Sequence, residues 1–387
     1  MQAIGQAWLV LQLTDSSFKL GLVTAMQFLP MMVFSLFAGT LVDRFPKRAV
    51  LLATQSTLCL LAATLATLTL FGVVQYWHVL VLAFLLGAAN TLDAPTRQSF
   101  FVELVGKEDL MNAIGLNSAV FNLARIIGPA IAGFLIALVG IAVCFYLNAL
   151  SFLAVIAALK LMDHRENAVA LKGNQPPQNP LADIRDGLSY IKSMDLLFYP
   201  LLLLAVISTF VFNFNVMVPI FARQDLNQTA AGYGLLMTSM GIGSFIGAVA
   251  ITARSKTGPR MDNLLGGALG MSFFLALLGF QRNYLLACAT LFIVGFCSIS
   301  FTALVNSTIQ LTTVDSMRGR VMSVYALVFG GVKPIGSLYA GKLIEIAGTP
   351  GSMIISGAIG ILGTLFVIGR LKFQPTAVPL TAREEKK

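Results

Sequence analysis

Charge is what this 387-residue sequence has least of. Asp, Glu, Lys and Arg together make up 11% of it, whereas a soluble domain carries roughly 25%. That is too little to clothe a water-facing surface. There are two histidines, far apart in the chain, and almost no acids inside its apolar segments. These shortages argue against the clustered acids, bases and nucleophiles of an active site, so no enzymatic activity is expected. No G-x-x-x-x-G-K-[ST] loop occurs, which excludes an ATP-driven pump and leaves an ion gradient as the energy source. The four cysteines, Cys59, Cys144, Cys288 and Cys297, fall inside apolar segments without metal-ligand spacing and read as small packing residues. Neither a metal nor any other cofactor is expected. Ahead of Thr14-Asp15-Ser16-Ser17 there is no basic n-region and no small-residue cleavage site, so Met1–Leu13 is not a secretory signal.

What fills the sequence instead is apolar: 57% hydrophobic residues and a mean hydropathy of +0.83. A helical run of about 20 such residues crosses a hydrocarbon core of roughly 30 Å. Such runs recur at roughly 20–41, 49–70, 77–95, 113–138, 141–161, 198–220, 232–253, 262–280, 284–305, 321–345 and 350–369. Met1–Leu13, at about 1.5 Å per residue, spans about two thirds of the core. It is expected to be the second half of a first helix in which the chain begins. Roughly 20 of the 26 Lys and Arg lie in alternate loops and the C-terminal tail, including Arg44, Lys47, Arg48, Arg97, Lys107, Arg254, Lys256, Arg260, Arg318, Arg320 and Arg370. The opposite loops hold little beyond Lys19, Arg223 and Arg282. Basic loops stay on the cytoplasmic side, so both termini are expected there, in a bacterial inner membrane crossed about twelve times. The net charge of +9 needs no nucleic acid to explain it. The expected partners are the lipid bilayer, a small-molecule substrate and protons as coupling ion, acting on a monomer.

One long polar stretch, from Asp163 to Pro180, divides the spans into six and six. The organisation expected is a six-helix bundle over 1–162, a cytoplasmic linker over 163–197, a second bundle over 198–370 and a tail over 371–387. Within the linker, Leu181, Ile184, Leu188, Ile191 and Leu196/Leu197 alternate with Asp183, Arg185, Asp186 and Lys192, the pattern of an amphipathic interfacial helix. The halves repeat. At a shift of about 208, Ala83-Phe84-Leu85-Leu86-Gly87 falls on Leu291-Phe292-Ile293-Val294-Gly295 and Arg125-Ile126-Ile127-Gly128 on Lys333-Pro334-Ile335-Gly336. At about 213, Gly21 falls on Gly234 and Pro46-Lys47 on Pro259-Arg260. Two related bundles around a midplane site are a transporter architecture.

Gly39-Thr40-Leu41-Val42-Asp43-Arg44-Phe45-Pro46-Lys47-Arg48 combines a small contact residue, an acid at the membrane edge and a basic cluster. It resembles the loop between helices two and three of the Major Facilitator Superfamily, and the likeness extends over the whole chain apart from its start. The resemblance implies an all-α membrane fold of two six-helix bundles with pseudo-two-fold symmetry and about twelve helices, the first truncated. It also implies a latch of Gly39, Asp43, Arg44 and Arg97 closing on the region near Arg320, one-sided because Lys256 replaces the acid in the second half. Gly115, Ala124, Gly128, Pro129 and Gly133 look like the antiporter motif that marks exporters in that superfamily, although helix packing accounts equally well for small residues at this spacing. Asn90-Thr91-Leu92-Asp93-Ala94-Pro95-Thr96-Arg97, with Asn112-Ala113-Ile114 and Asn117-Ser118, is similar to the branch of the enterobactin exporter and related efflux permeases.

Inside the membrane, Arg125 and Lys333 lie about 13 residues into their helices, near the midplane, and the repeat relates them. Either they bind an anionic or phenolate-bearing substrate, or they hold carbonyls freed beside Pro129 and Pro334, or a distant acid. Gln27, Asn213 and Asn215 are further substrate-contact candidates, with Gln6 and Asn306 as other polar positions. Asp93 is either the proton carrier or the fixed partner of Arg97. Gly241, Gly243 and Gly247 read as packing residues, and Tyr76, Trp77 and His78 as interfacial anchors. The function expected is proton-coupled export of a small siderophore-like or drug-like molecule by alternating access. An importer of a small anionic solute and a non-transporting receptor or assembly factor remain open.

Overall fold

Lipid offers backbone groups no hydrogen-bond partners, so a chain of long apolar runs must bond each run within itself as a helix. The computed structural model describes residues 1–42, 45–105, 109–162, 180–253 and 259–371, and its elements there are all helical. The first half comprises α1 (Gln2–Thr14), α2 (Ser17–Val42), α3 (Lys47–Leu70), α4 (Tyr76–Val105), α5 (Leu110–Val139) and α6 (Ile141–Leu161). After α7 (Pro180–Lys192) the second half opens on a broken crossing. It is made of α8 (Asp195–Val206), a π-helical turn (Ile207–Val211), α9 (Phe214–Ile220) and a second π turn (Phe221–Asp225). Then follow α10 (Ala230–Ala253), α11 (Met261–Leu278), α12 (Tyr284–Thr312), α13 (Asp315–Ala326), a π turn (Leu327–Gly331) and α14 (Lys333–Leu371). The stretch from Asp315 to Leu371, 57 residues long, holds two crossings. They part at Gly348, whose φ of 70° and ψ of 170° lie outside helical space just ahead of Pro350.

Two boundaries differ from the sequence expectation. The amphipathic helix ends at Lys192 because Met194 is extended (φ −127°, ψ 108°), and Leu197 belongs to α8. Gly187, Ile184 and Ile191 nevertheless form one face of α7, with Gly187 seated on the Arg320 backbone of α13. The crossing expected at 198–220 starts at Asp195 and is interrupted. Where it widens, Asn213 donates through Nδ2 to the carbonyl of Thr209 at 2.8 Å, satisfying an acceptor that the irregular backbone frees.

The pseudo-two-fold axis is visible atom by atom. Gly87 of α4 packs on the backbone carbonyl of Gln27 in α2, and its repeat mate Gly295 of α12 packs on that of Met240 in α10. A Cβ at Gly21 would meet the Ser337 carbonyl at 2.5 Å and Gly341 Cα at 3.1 Å; one at Gly234 would meet the Pro129 carbonyl at 2.6 Å and Gly133 Cα at 3.0 Å. These are the same contacts carried by the same repeat, and they form the two seams, α2 on α14 and α5 on α10, that join the halves. Backbones this close require residues without side chains, which is how helices adhere where burial from water is no driving force. Gly243 and Gly247 do the same within the second half, against Phe292 and Phe296 of α12.

The seams are not closed along their whole length. At the face carrying the short turns at Asp15, Gly140 and Asn227, Ser17 and Phe18 pack on Gly341, and Trp8 stacks on Tyr233 at 6.2 Å. Halfway along, a Cβ at Gly241 would still lie 3.1 Å from the Arg125 carbonyl. Toward the basic face, a Cβ at Gly115 would meet nothing within 4 Å among the described residues, and Leu116, Val120 and Phe121 are exposed. Among the described residues the halves are shut at the face of the short turns and parted toward the basic one.

Candidate functional site

At the level where the seams stop, the repeat places Arg125 on α5 and Lys333 at the start of α14. They lie within electrostatic range of each other. Among the described residues neither forms a salt bridge, and Arg125 makes no side-chain hydrogen bond. The Lys333 Nζ sits over two rings, Phe28 of α2 at 4.7 Å and Phe329 of the preceding π turn at 5.4 Å. Phe28 is the repeat mate of Gly241, so the two-fold frame is filled unequally. Lys333 rests against aromatic faces from both halves, whereas the exposed Arg125 head group has no ring beside it. Phe329 belongs to an aromatic wall, stacked on Tyr325 at 5.9 Å and edge-on to Phe212 at 6.3 Å. Two cations sharing this depth without a carboxylate are costly unless an anion joins them.

Asn215 is exposed on α9 although Phe214, Val216 and Met217 around it are buried, and α9 packs on α1 and α2 across the seam. Gln27 is half-buried on α2, one residue before Phe28. Asn213 is buried, its amide given to Thr209 and its Oδ1 pressed toward Gly336. Gln6 is buried in α1, and Asn306 accepts from Gln310 at 2.6 Å. Pro129 lies on the α5 face that meets α10, where Thr238 donates to the Ile126 carbonyl at 3.2 Å, whereas a Cβ at Gly128 would approach the Met1 nitrogen at 4.0 Å.

Asp93 is buried and held by four donor contacts: Thr54 at 2.8 Å, Gln55 at 2.7 Å, and Arg97 through Nε at 3.2 Å and Nη2 at 2.8 Å. Of its two alternatives, the bond to Arg97 is therefore present. Gly39 lies in α2, and Asp43 and Arg44 fall outside the described residues. The other latch elements are engaged elsewhere: Arg97 with Asp93, and Arg320 with Asp183 at 2.8 Å and Asp186 at 3.2 Å on α7. Trp77 and His78 pack ring to ring at 3.8 Å at the head of α4. Sequence reasoning passed over Phe28 and Phe329. Aligning the halves one residue beyond Gln27 sets a ring opposite a glycine and would have marked the first of them.

Comparison with known proteins places this architecture. The sequence profile described as "Transmembrane secretion effector" matches residues 1–384. The multidrug efflux pump Tap of Mycolicibacterium fortuitum is 28% identical over 348 residues, covering 88% of this chain and 84% of that protein. The staphyloferrin A transporter of Staphylococcus aureus is 25% identical over 383 residues, covering 96% and 93%. Among solved structures, a D-xylose–proton symporter superposes with a TM-score of 0.75 at 14% identity over 97% of this chain and 94% of its own. The nucleoside transporter NupG gives 0.74 at 12% identity over 95% and 94%. At such identities these two speak for the fold alone.

Proposed function

Because the chain belongs to the transmembrane secretion effector family of the Major Facilitator Superfamily, a family of multi-pass membrane transporters, we propose that it exports a small anionic molecule from the bacterial cytoplasm in exchange for protons. The observation that carries the substrate class is the repeat-related pair Arg125 and Lys333, two midplane cations without a carboxylate partner among the described residues. Gln27 and Asn215 supply hydrogen bonds beside them. Export is favoured over import by the likeness to the multidrug efflux pump Tap and by the Gly128-Pro129 and Gly133 pattern of α5. With the basic loops cytoplasmic and both termini inside, the parted face opens to the cytoplasm, and the conformation is the one that loads substrate. Alternating access then rocks the bundles about the midplane contacts, and the Asp43 latch closes the inner face. The experiment is accumulation in cells with and without the gene. An anionic siderophore is expected to build up when the gene is absent while a cationic dye does not; the reverse preference would refute the anionic assignment.

Proton coupling is assigned to Asp93, the buried acid of α4 whose partners Thr54, Gln55 and Arg97 could exchange with a proton. Asp93→Asn in proteoliposomes is expected to leave downhill efflux measurable and to abolish its acceleration by an imposed pH gradient. Gradient-driven acceleration that survives in the variant would assign the acid to a purely structural bond with Arg97.

A further inference from the structure

The closed face carries a charged contact that the transport cycle described so far does not use. Asp15, in the left-handed turn between α1 and α2 (φ 47°), faces Arg223 of the second half at 3.4 Å. The pair crosses the seam. Beside it lies a cavity of about 690 Å³ lined from the first half by Trp8, Gln12 and Ile136 and from the second by Arg223 and Gln228. Arg223 is the single charged residue among those lining it. The guanidinium is only partly used, since Nη2 faces Asp15 while Nη1 is buried without a partner among the described residues. The next acid on its own element, Asp225, is turned to Arg282 at 3.2 Å. When the outer ends separate, Asp15 leaves with the first half. What stays on the second half is the Asp225–Arg282 pair, whose Asp225 Oδ2 is itself without a partner among the described residues, and an arginine that has lost its carboxylate across the seam.

We propose that Arg223 is a second anion site, at the outer face, where the Asp15 carboxylate stands in for the acidic group of a departing substrate. This rests on the reading that the substrate is anionic. The contact suits exchange: Asp15 is 67% exposed and its nearest oxygen lies beyond good hydrogen-bond distance, so it binds weakly, whereas a free carboxylate can meet the guanidinium fork bidentately. An incoming anion thus replaces the group that holds the outer gate shut, and opening is favoured when cargo is present. An empty carrier has no such replacement and stays closed.

Trp8 reports on the gate, because it lines the cavity and stacks across the seam on Tyr233. With Trp77→Phe it becomes the only tryptophan of the chain. In that background, acrylamide quenching of Trp8 in purified protein is expected to rise roughly twofold on adding citrate, as a shift of a two-state equilibrium gives. Potassium chloride of equal ionic strength should not do this. Asp15→Asn should give the raised quenching without citrate, and Arg223→Gln should abolish the citrate response. If Arg223→Gln does not accumulate, Arg223→Lys replaces it and should raise the half-maximal citrate concentration about tenfold through loss of the planar fork. Citrate without effect on the parent protein, or an equal response in the Arg223 variant, overturns the proposal. A failed siderophore assay with an intact Trp8 response would instead count against the substrate reading alone.

Discussion

Arg125→Gln is expected to cut efflux of an anionic substrate roughly a hundredfold, the cost of about 3 kcal/mol for losing charge-assisted hydrogen bonds to the bound anion. Export of a cationic compound should change little. Lys333→Gln is expected to do less, because the Lys333 Nζ spends part of its interaction on Phe28 and Phe329 rather than on cargo. The inequality is itself diagnostic. Two residues related by the repeat would contribute alike if their surroundings were alike, and they are not, since Gly241 occupies the position corresponding to Phe28. Initial rates in proteoliposomes, measured for one anionic and one cationic substrate, separate the outcomes. Equal losses for both classes would make the pair structural.

The second large effect concerns glycines of a single helix. Gly133→Leu is expected to abolish transport while the protein still inserts, because a Cβ there would meet the Ala230 carbonyl at 2.6 Å and Gly234 Cα at 3.0 Å. Backbone cannot yield as a flexible side chain can, so the outer seam stays open. Gly115→Leu should also stop turnover, but from the other state, for a Cβ there meets nothing within 4 Å among the described residues and becomes crowded only when the inner ends meet. Labelling of introduced cysteines from either side of the membrane distinguishes the two arrests. The first should admit reagent from outside and the second from inside; the same sidedness in both would show that α5 does not line both gates.

Most of the frame was legible in the sequence, for physical reasons. Length and apolarity fix a crossing helix, and the shift of about 208 residues that set Arg125 on Lys333 is the shift that carries Pro129 and Gly133 onto Ser337 and Gly341 at the seams. Gly241, Gly243 and Gly247 proved to be backbone contacts, as read. The breaks were not legible. The π turns at Ile207–Val211 and Leu327–Gly331 arise where tertiary contacts reward a widened turn, and composition there resembles any other span. Nor could the sequence tell whether Asp93 bonds Arg97, because that bond, four residues on, depends on how far one side chain bends back. The pairing of Asp15 with Arg223 joins residues about 208 apart in two separate bundles, and no local pattern announces it.

The unequal filling of an equal frame has a consequence for how such a protein changes. Gly21, Gly133, Gly234 and Gly341 touch backbone and tolerate no enlargement. Of the repeat mates 28 and 241, the first carries a large ring over Lys333, and the second is one more glycine of the seam, on the Arg125 backbone. A scaffold of this kind can be refitted for new cargo by exchanging ring residues such as Phe28 and Phe329 one at a time, because those side chains, unlike the glycines, take no part in the backbone contacts on which rocking depends.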